Sequence, residues 1–219
     1  MHHTKEKGYK AVLLDLDGTI IESAPGILET LAYTFDKIGH EFDPEGKLDL
    51  LIGPPLTEIF EACGLTDEKQ VENAMHIYHK YYRSKGMLNG LIYPGVRETL
   101  QRLKEQKIVT MVATSKPEPF AKSILEHFEL DQYLAFISGS TLDEAKDNKP
   151  LVIANALQHY AGDKSEVLMV GDRHFDVDGA HRNVIDCAGV LYGYGSEKEL
   201  IEAGADYLLK KPEELFELL

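Results

Sequence analysis

Leu14-Asp15-Leu16-Asp17-Gly18-Thr19 ends the run Tyr9-Lys10-Ala11-Val12-Leu13, and the change of character between the two decides the fold. A short, mostly apolar run closed by two charged residues reads as a buried strand over Tyr9 to Leu14. On an extended chain Asp15 and Asp17, two apart, project to the same side. Two carboxylates on one side repel unless a cation or a proton is shared. Gly18 permits a tight turn immediately behind them.

The same pattern recurs. Ile108 to Ala113 leads into Thr114-Ser115, Leu134 to Ile137 into Ser138-Gly139-Ser140, Val167 to Val170 into Gly171-Asp172, and Ala188 to Tyr192 into Gly193; Tyr207 to Leu209 is a last short run. Helical periodicity fills the intervals. Val96, Leu100 and Leu103 share a face, as do Phe120, Ile124, Leu125 and Phe128, and also Val152, Ile153, Ala156, Leu157 and Tyr160. Strands alternating with helices predict an α/β fold with a Rossmann-like parallel sheet covered on both faces.

One region breaks the alternation. Between Glu22 and Leu91 no strand is expected. Ser23 is placed as an N-cap with Pro25 in the first turn, and Ile27, Leu28, Leu31, Phe35 and Ile38 follow one helical face. Leu56, Ile59, Phe60 and Cys63 make a second face, and Asp67 to Lys85 a longer helix with Val71, Met75, Tyr78 and Tyr82 in step. Pro94-Gly95 marks the return. The expected division is a core of 1–21 and 92–219 with an α-helical cap over 22–91, inserted where open α/β sheets bind ligands.

The strand exits carry the reactive residues. Asp15 and Asp17 come from the first, Thr114-Ser115-Lys116 from the next, and Asp172 from a later one with Asp176 four residues on; Lys149 stands ahead of a helix. Converged, they form a set of hard oxygen donors with the cation of Lys149, which suits Mg²⁺. Phosphoryl transfer needs positioning and charge neutralisation, and a carboxylate serves as its nucleophile.

Bulk properties narrow the class further. The chain has 219 residues, 43% apolar and 27% charged, with a formal charge of −14. That length suits one large domain, or a core of about 150 residues with an insertion. A phosphate-backbone binder needs a basic surface, so nucleic acid is not expected as a partner. The apolar runs are too short to span a bilayer, and Met1 to Lys10 lacks a signal-peptide apolar segment. No membrane association and a cytoplasmic location are expected, with Cys63 and Cys187 as reduced thiols. His2 and His3 are given no role. A small phosphorylated metabolite is the expected partner, with the chain a monomer or weak homodimer.

These residues together resemble the haloacid dehalogenase superfamily of phosphatases. Its four signature motifs stand in order: Asp15-Leu16-Asp17-Gly18-Thr19, Thr114-Ser115, Lys149-Pro150, and Gly171-Asp172-Arg173-His174-Phe175-Asp176. The position of the helical insertion is similar to the branch containing phosphoglycolate phosphatase, 5'-nucleotidase-like enzymes and β-phosphoglucomutase. The resemblance implies that Asp15 attacks phosphorus and ligates Mg²⁺. It implies that Asp17 is the general acid and base, its backbone carbonyl reaching the metal. Thr114 or Ser115, with an adjacent amide, holds the phosphoryl group, Lys149 offsets its charge, and Gly18 joins the phosphate-binding turn. Asp172 is a metal ligand, and Asp176 orients metal-bound water or Lys149.

Plainer roles are expected for several neighbours. Thr114-Ser115 is also placed as a helix N-cap with Pro117 in the first turn. His174 is expected near the surface or behind the site, and Asp178 in solvent or at a helix cap. Tyr78, Tyr81 and Tyr82 are expected to pack the cap, and Arg83 and Lys85 to lie on a solvated face. Ile52-Gly53-Pro54-Pro55-Leu56 resembles the cap loop that faces the site, and Glu22 stands on the hinge side, where related caps often begin with Asp. The leading expectation is hydrolysis of a small phosphate monoester, such as phosphoglycolate or a nucleoside monophosphate, or of pyrophosphate. A phosphomutase of the β-phosphoglucomutase type is the alternative. A phosphoacceptor signalling module is a different class, and the insertion of about 70 residues after the first strand argues against it.

Overall fold

The computed structural model describes residues 8–141 and 149–219, so His2 and His3 lie outside the described residues, as do Lys5 and Lys7. Its centre is the strand the opening stretch predicts. β1 (Ala11–Leu14) is buried along its whole length, which is why it reads as a continuous apolar run rather than an alternation. β4 (Val109–Pro117), β5 (Phe136–Ser140), β6 (Val167–Gly171), β7 (Asp186–Val190) and β8 (Tyr207–Leu209) complete a six-stranded sheet of order β5-β4-β1-β6-β7-β8. Each of its strand pairings is parallel.

Side chains alternate between two apolar layers. Val12 and Leu14 face the layer of α5 (Val96–Glu105) and α6 (Glu118–His127). Ala11 and Leu13 face α7 (Lys149–Leu157), α8 (His174–Arg182) and α9 (Glu197–Ala203). Leu13 is wholly buried, so Leu13→Ala costs about 2–5 kcal/mol.

The helical segment between Glu22 and Leu91 contains α1 (Ala24–Ile38), α2 (Leu48–Leu51), α3 (Leu56–Ala62) and α4 (Glu68–Ser84). These helices carry an apolar core of their own, centred on Leu31, Phe35, Phe60, Tyr78 and Tyr82, and Phe120 of α6 joins it from the sheet side. At the two ends of the segment lie strands the periodicity did not reveal. β2 (Ile21–Glu22) and β3 (Leu91–Ile92) pair antiparallel, and two residues are too few to show a period.

Two expected caps differ in detail. Ser23 occupies the N-cap position of α1 but has helical backbone angles and makes no side-chain cap bond; the Ala24 N–H donates instead to the Tyr194 hydroxyl at 2.9 Å. Thr114-Ser115 is not a helix cap. β4 runs on through both residues to Pro117, which is the N-cap, and Pro119 supplies the proline of the first turn. A proline has no N–H to give and sits there without cost.

Candidate active site

The strand order places the site. The connection from β1 runs toward β4, whereas the one from β6 runs toward β7, so adjacent β1 and β6 form a topological switch point. Ligands of open α/β sheets bind in the crevice outside such carboxyl ends. Asp15 follows β1 there, and Asp172 follows β6.

Asp15 stands over Lys149. The ammonium is 2.7 Å from Asp15 Oδ1 and 2.8 Å from Asp176 Oδ1, and it donates to the Ala113 carbonyl at 3.2 Å. Burial pulls this lysine down, but the two carboxylates outweigh it and hold the ammonium above the ordinary lysine range. Burial also pushes the Asp15 carboxyl up to about 6, against the pull of Lys149 and with Asp176 and Asp17 adding to the rise. Asp176 accepts the Arg173 N–H at 3.0 Å, which closes the first turn of α8. The exit is crowded: a Cβ on Gly171 would lie 2.1 Å from the Asp176 carboxyl carbon.

Asp172 is fully buried, and its Oδ2 accepts the Tyr194 N–H at 2.7 Å. Its Oδ1 is buried without a hydrogen-bond partner among the described residues. Burial first, then Asp176 and Asp15, hold this carboxyl well above its ordinary value. One oxygen from each of Asp15, Asp172 and Asp176 lies within 4.8 Å of the others. Three buried carboxylates and one lysine leave uncompensated negative charge, and an orphaned carboxylate oxygen is a donor in want of a cation. This all-oxygen set fits Mg²⁺.

Asp17 is directed elsewhere. Its carboxylate pairs with Lys116, Nζ to Oδ2 2.9 Å, and Lys116 donates to the Tyr82 hydroxyl at 2.8 Å. The carboxylate grouping therefore contains Asp176 rather than the side chain of Asp17. In the sequence Lys116 stands only as a neighbour of the hydroxyls; its partner in α4 is 34 residues away, beyond any local pattern.

Thr114 is buried, and its Oγ1 accepts the Lys116 N–H at 3.1 Å. Thr114 and Ser115 line a cavity of about 90 Å³ together with Asp15, Asp17, Lys116 and Lys149. Gly18 does not line it. Gly18 has φ +81° and lies against Asp172, whose Oδ2 would be 2.2 Å from an added Cβ.

The loop over Gly53-Pro54-Pro55-Leu56 forms part of the cavity wall. Arg173 holds it in place, donating Nη1 to the Ile52 carbonyl at 2.6 Å and Nε to Glu199 at 2.9 Å. His174 also binds Glu199, Nδ1 to Oε1 2.8 Å, and does not line the cavity. Tyr78 and Tyr82 are buried and stacked, and they line it as well as packing α4. Arg83 and Lys85 are exposed, their charges over the rings of Phe120 and Tyr81, and Asp178 is exposed in mid-helix. Glu22 is half-buried in β2.

Acidic residues at the ends of β1 and β6, a buried lysine against them and a hydroxyl from β4 make a site for an anionic group at the switch point of an open parallel sheet. The chain belongs to the haloacid dehalogenase-like hydrolases, whose family model matches residues 12–190. It is similar to a 5'-nucleotidase of Pseudomonas aeruginosa, 35% identical over 192 residues that make up 88% of this chain and 87% of that one. It is similar to the tyrosine-protein kinase PtkA of Mycobacterium tuberculosis, 37% identical over 84% of this chain and 62% of the kinase. Among solved structures, a predicted phosphatase from Clostridium acetobutylicum superposes with a TM-score of 0.88 at 38% identity, covering 95% of this chain and 97% of that one. Among the described residues no helix is long and apolar enough to cross a membrane.

Proposed function

We propose that this hydrolase cleaves a small phosphate monoester through an aspartyl-phosphate on Asp15. The observation that carries the reading is Asp15 itself: a buried carboxylate at a strand end, lining a cavity and paired with Lys149. A carboxylate oxygen of Asp15 attacks phosphorus, and the bond from phosphorus to the ester oxygen breaks. Asp17, once protonated, gives that proton to the departing oxygen and then takes one from the water that attacks the phosphorus of the aspartyl-phosphate. Inorganic phosphate leaves, and Asp15 is regenerated.

Lys149 offsets charge between the nucleophile and the transferring group, and the Thr114 hydroxyl, with Ser115 beside it, holds a phosphoryl oxygen. Asp15 and Asp172 would hold a Mg²⁺ ion, with the Asp17 carbonyl as a further ligand, and Asp176 would orient water at the ion or Lys149. When bound, Mg²⁺ neutralises charge on the phosphoryl oxygens. The helices between Glu22 and Leu91 act as a cap that excludes bulk water from the cavity.

The names of the relatives share phosphoryl chemistry, and hydrolysis accords with the 5'-nucleotidase and the phosphatase among them. The test is phosphate release from a panel of phosphorylated metabolites, with and without Mg²⁺, in wild type and Asp15→Asn. Asp15→Asn and chelation are each expected to remove most activity. Near wild-type turnover in Asp15→Asn removes Asp15 as nucleophile, and an isomerised sugar phosphate in place of free phosphate identifies a phosphomutase.

A further inference from the structure

The phosphatase reading leaves the leaving group open, and the cavity constrains it by charge. Lys116, Lys149 and Arg173 line the cavity, and each is already matched to a carboxylate of the chain: Lys116 to Asp17 at 2.9 Å, Lys149 to Asp15 and Asp176 at 2.7 and 2.8 Å, and Arg173 to Glu199 at 2.9 Å. All three side chains are at least nine-tenths buried. What positive potential they and a divalent ion retain is consumed by the phosphate that must bind above Asp15.

Away from the acids, lysines and hydroxyls at the strand ends, the wall is mostly apolar and aromatic. Leu56 and Ile59 of α3, Tyr78 and Tyr82 of α4, Phe120 of α6 and Phe175 of α8 face the same space. The rings brace one another: Tyr78 and Tyr82 stack at 5.5 Å and 12°, and Phe120 meets Tyr82 edge-on at 5.5 Å and 69°. His79 belongs to this wall, its ring 6.0 Å from those of Phe120 and Tyr78. A planar neutral group gains ring contacts here. A second anion meets proline, leucine and tyrosine carbon, losing its water with no lysine or arginine of the cavity lining left unpaired to receive it.

Resting on the phosphatase reading, we propose that this site takes monoesters whose leaving group is uncharged with a planar or apolar face, such as a nucleoside or an aryl alcohol, and rejects esters carrying a second anion, such as phosphoglycolate.

The test uses matched pairs with Mg²⁺ at pH 8, above the ordinary histidine range. kcat/KM for phosphate release is compared for phenyl phosphate and 4-carboxyphenyl phosphate, and for a nucleoside 5'-monophosphate and 2-phosphoglycolate. The neutral member of each pair is expected to be favoured at least about tenfold, the scale on which a site lacking a partner rejects a charge. A ratio near or below one in either pair overturns the proposal. Pro54→Arg adds a cation to a half-buried wall position. It is expected to narrow the phenyl to 4-carboxyphenyl ratio several-fold, its melting temperature checking that it folds; an unchanged ratio in the folded variant overturns the charge argument. Calorimetric binding of phenylphosphonate and 4-carboxyphenylphosphonate reads the same preference without turnover. A preserved binding preference without phosphate release from any ester overturns the phosphatase reading and upholds the charge selectivity, whereas hydrolysis without preference does the reverse.

Discussion

Lys116 Nζ lies 2.9 Å from Asp17 Oδ2. The lysine also donates to the Tyr82 hydroxyl and sits 4.8 Å from the centre of that ring, so one cation ties the carboxylate proposed for proton transfer to helix α4. Burial pulls the Lys116 ammonium down, and Asp17 and Tyr82 more than offset it. Lys116→Met leaves the Asp17 carboxylate nearly buried and unpaired. Loss of one partner of such a pair costs about 3–5 kcal/mol. Denaturant titration is expected to read a cost on that scale, and kcat to fall at least about tenfold through misplacement of Asp17. Tyr82→Phe removes a single hydrogen bond and is expected to cost about 1 kcal/mol. Wild-type kcat in Lys116→Met sinks this account of the pair.

The orphaned Oδ1 of Asp172 gives a metal test that needs no turnover. A ligand that binds only the folded state raises its stability by mass action. Added Mg²⁺ is expected to raise the melting temperature of the wild type. In Asp172→Asn the rise is expected to shrink by more than half, while the metal-free variant melts above metal-free wild type because a crowded charge is gone. A full Mg²⁺-dependent rise in the variant removes Asp172 from the metal site.

The same crowding makes metal-free stability depend on pH. Burial raises the folded-state value of Asp15 from 3.8 to about 6, so the folded protein holds this proton more tightly than the unfolded chain. The stability this contributes is fully present below about pH 4 and is lost as pH rises through about 6. Melting curves in chelator at pH 5, 6 and 7 are expected to show wild type gaining on Asp15→Asn as pH falls, because the amide has no proton to take up. Saturating Mg²⁺ is expected to remove most of the difference, since metal and proton compete for one carboxylate. A gap that stays constant from pH 7 to pH 5 in chelator contradicts the raised value.

Gly18 tests the geometry behind Asp172. Its φ of +81° already disfavours a side chain, and a Cβ there would be 2.2 Å from Asp172 Oδ2. Gly18→Ala is expected to displace the Asp172 carboxylate and to weaken Mg²⁺ binding at least about tenfold by isothermal titration. An alanine variant with wild-type Mg²⁺ affinity shows that this contact yields without moving the carboxylate.

The sequence by itself determined the alternation of strands and helices, because a strand buried on both faces and a helix with one apolar stripe each leave a local signature. The run into Asp15 and those into Thr114 and Asp172 were legible for that reason. So was the helical segment after the first strand, although the ribbon of Ile21–Glu22 with Leu91–Ile92 was too short to show. The four motifs named the acids, the hydroxyl and Lys149 without revealing which side chains touch. Only the tertiary structure set β6 beside β1 and so brought Asp172 and Asp15 together across 157 positions of sequence. It alone paired Lys116 with Asp17 and Tyr82, stretched Arg173 to the Ile52 carbonyl, and gathered rings from α4, α6 and α8 into one wall. The physical reason is reach: propensity and periodicity act over a few residues, whereas ion pairs, stacked rings and orphaned carboxylates are properties of positions that meet only when the sheet closes.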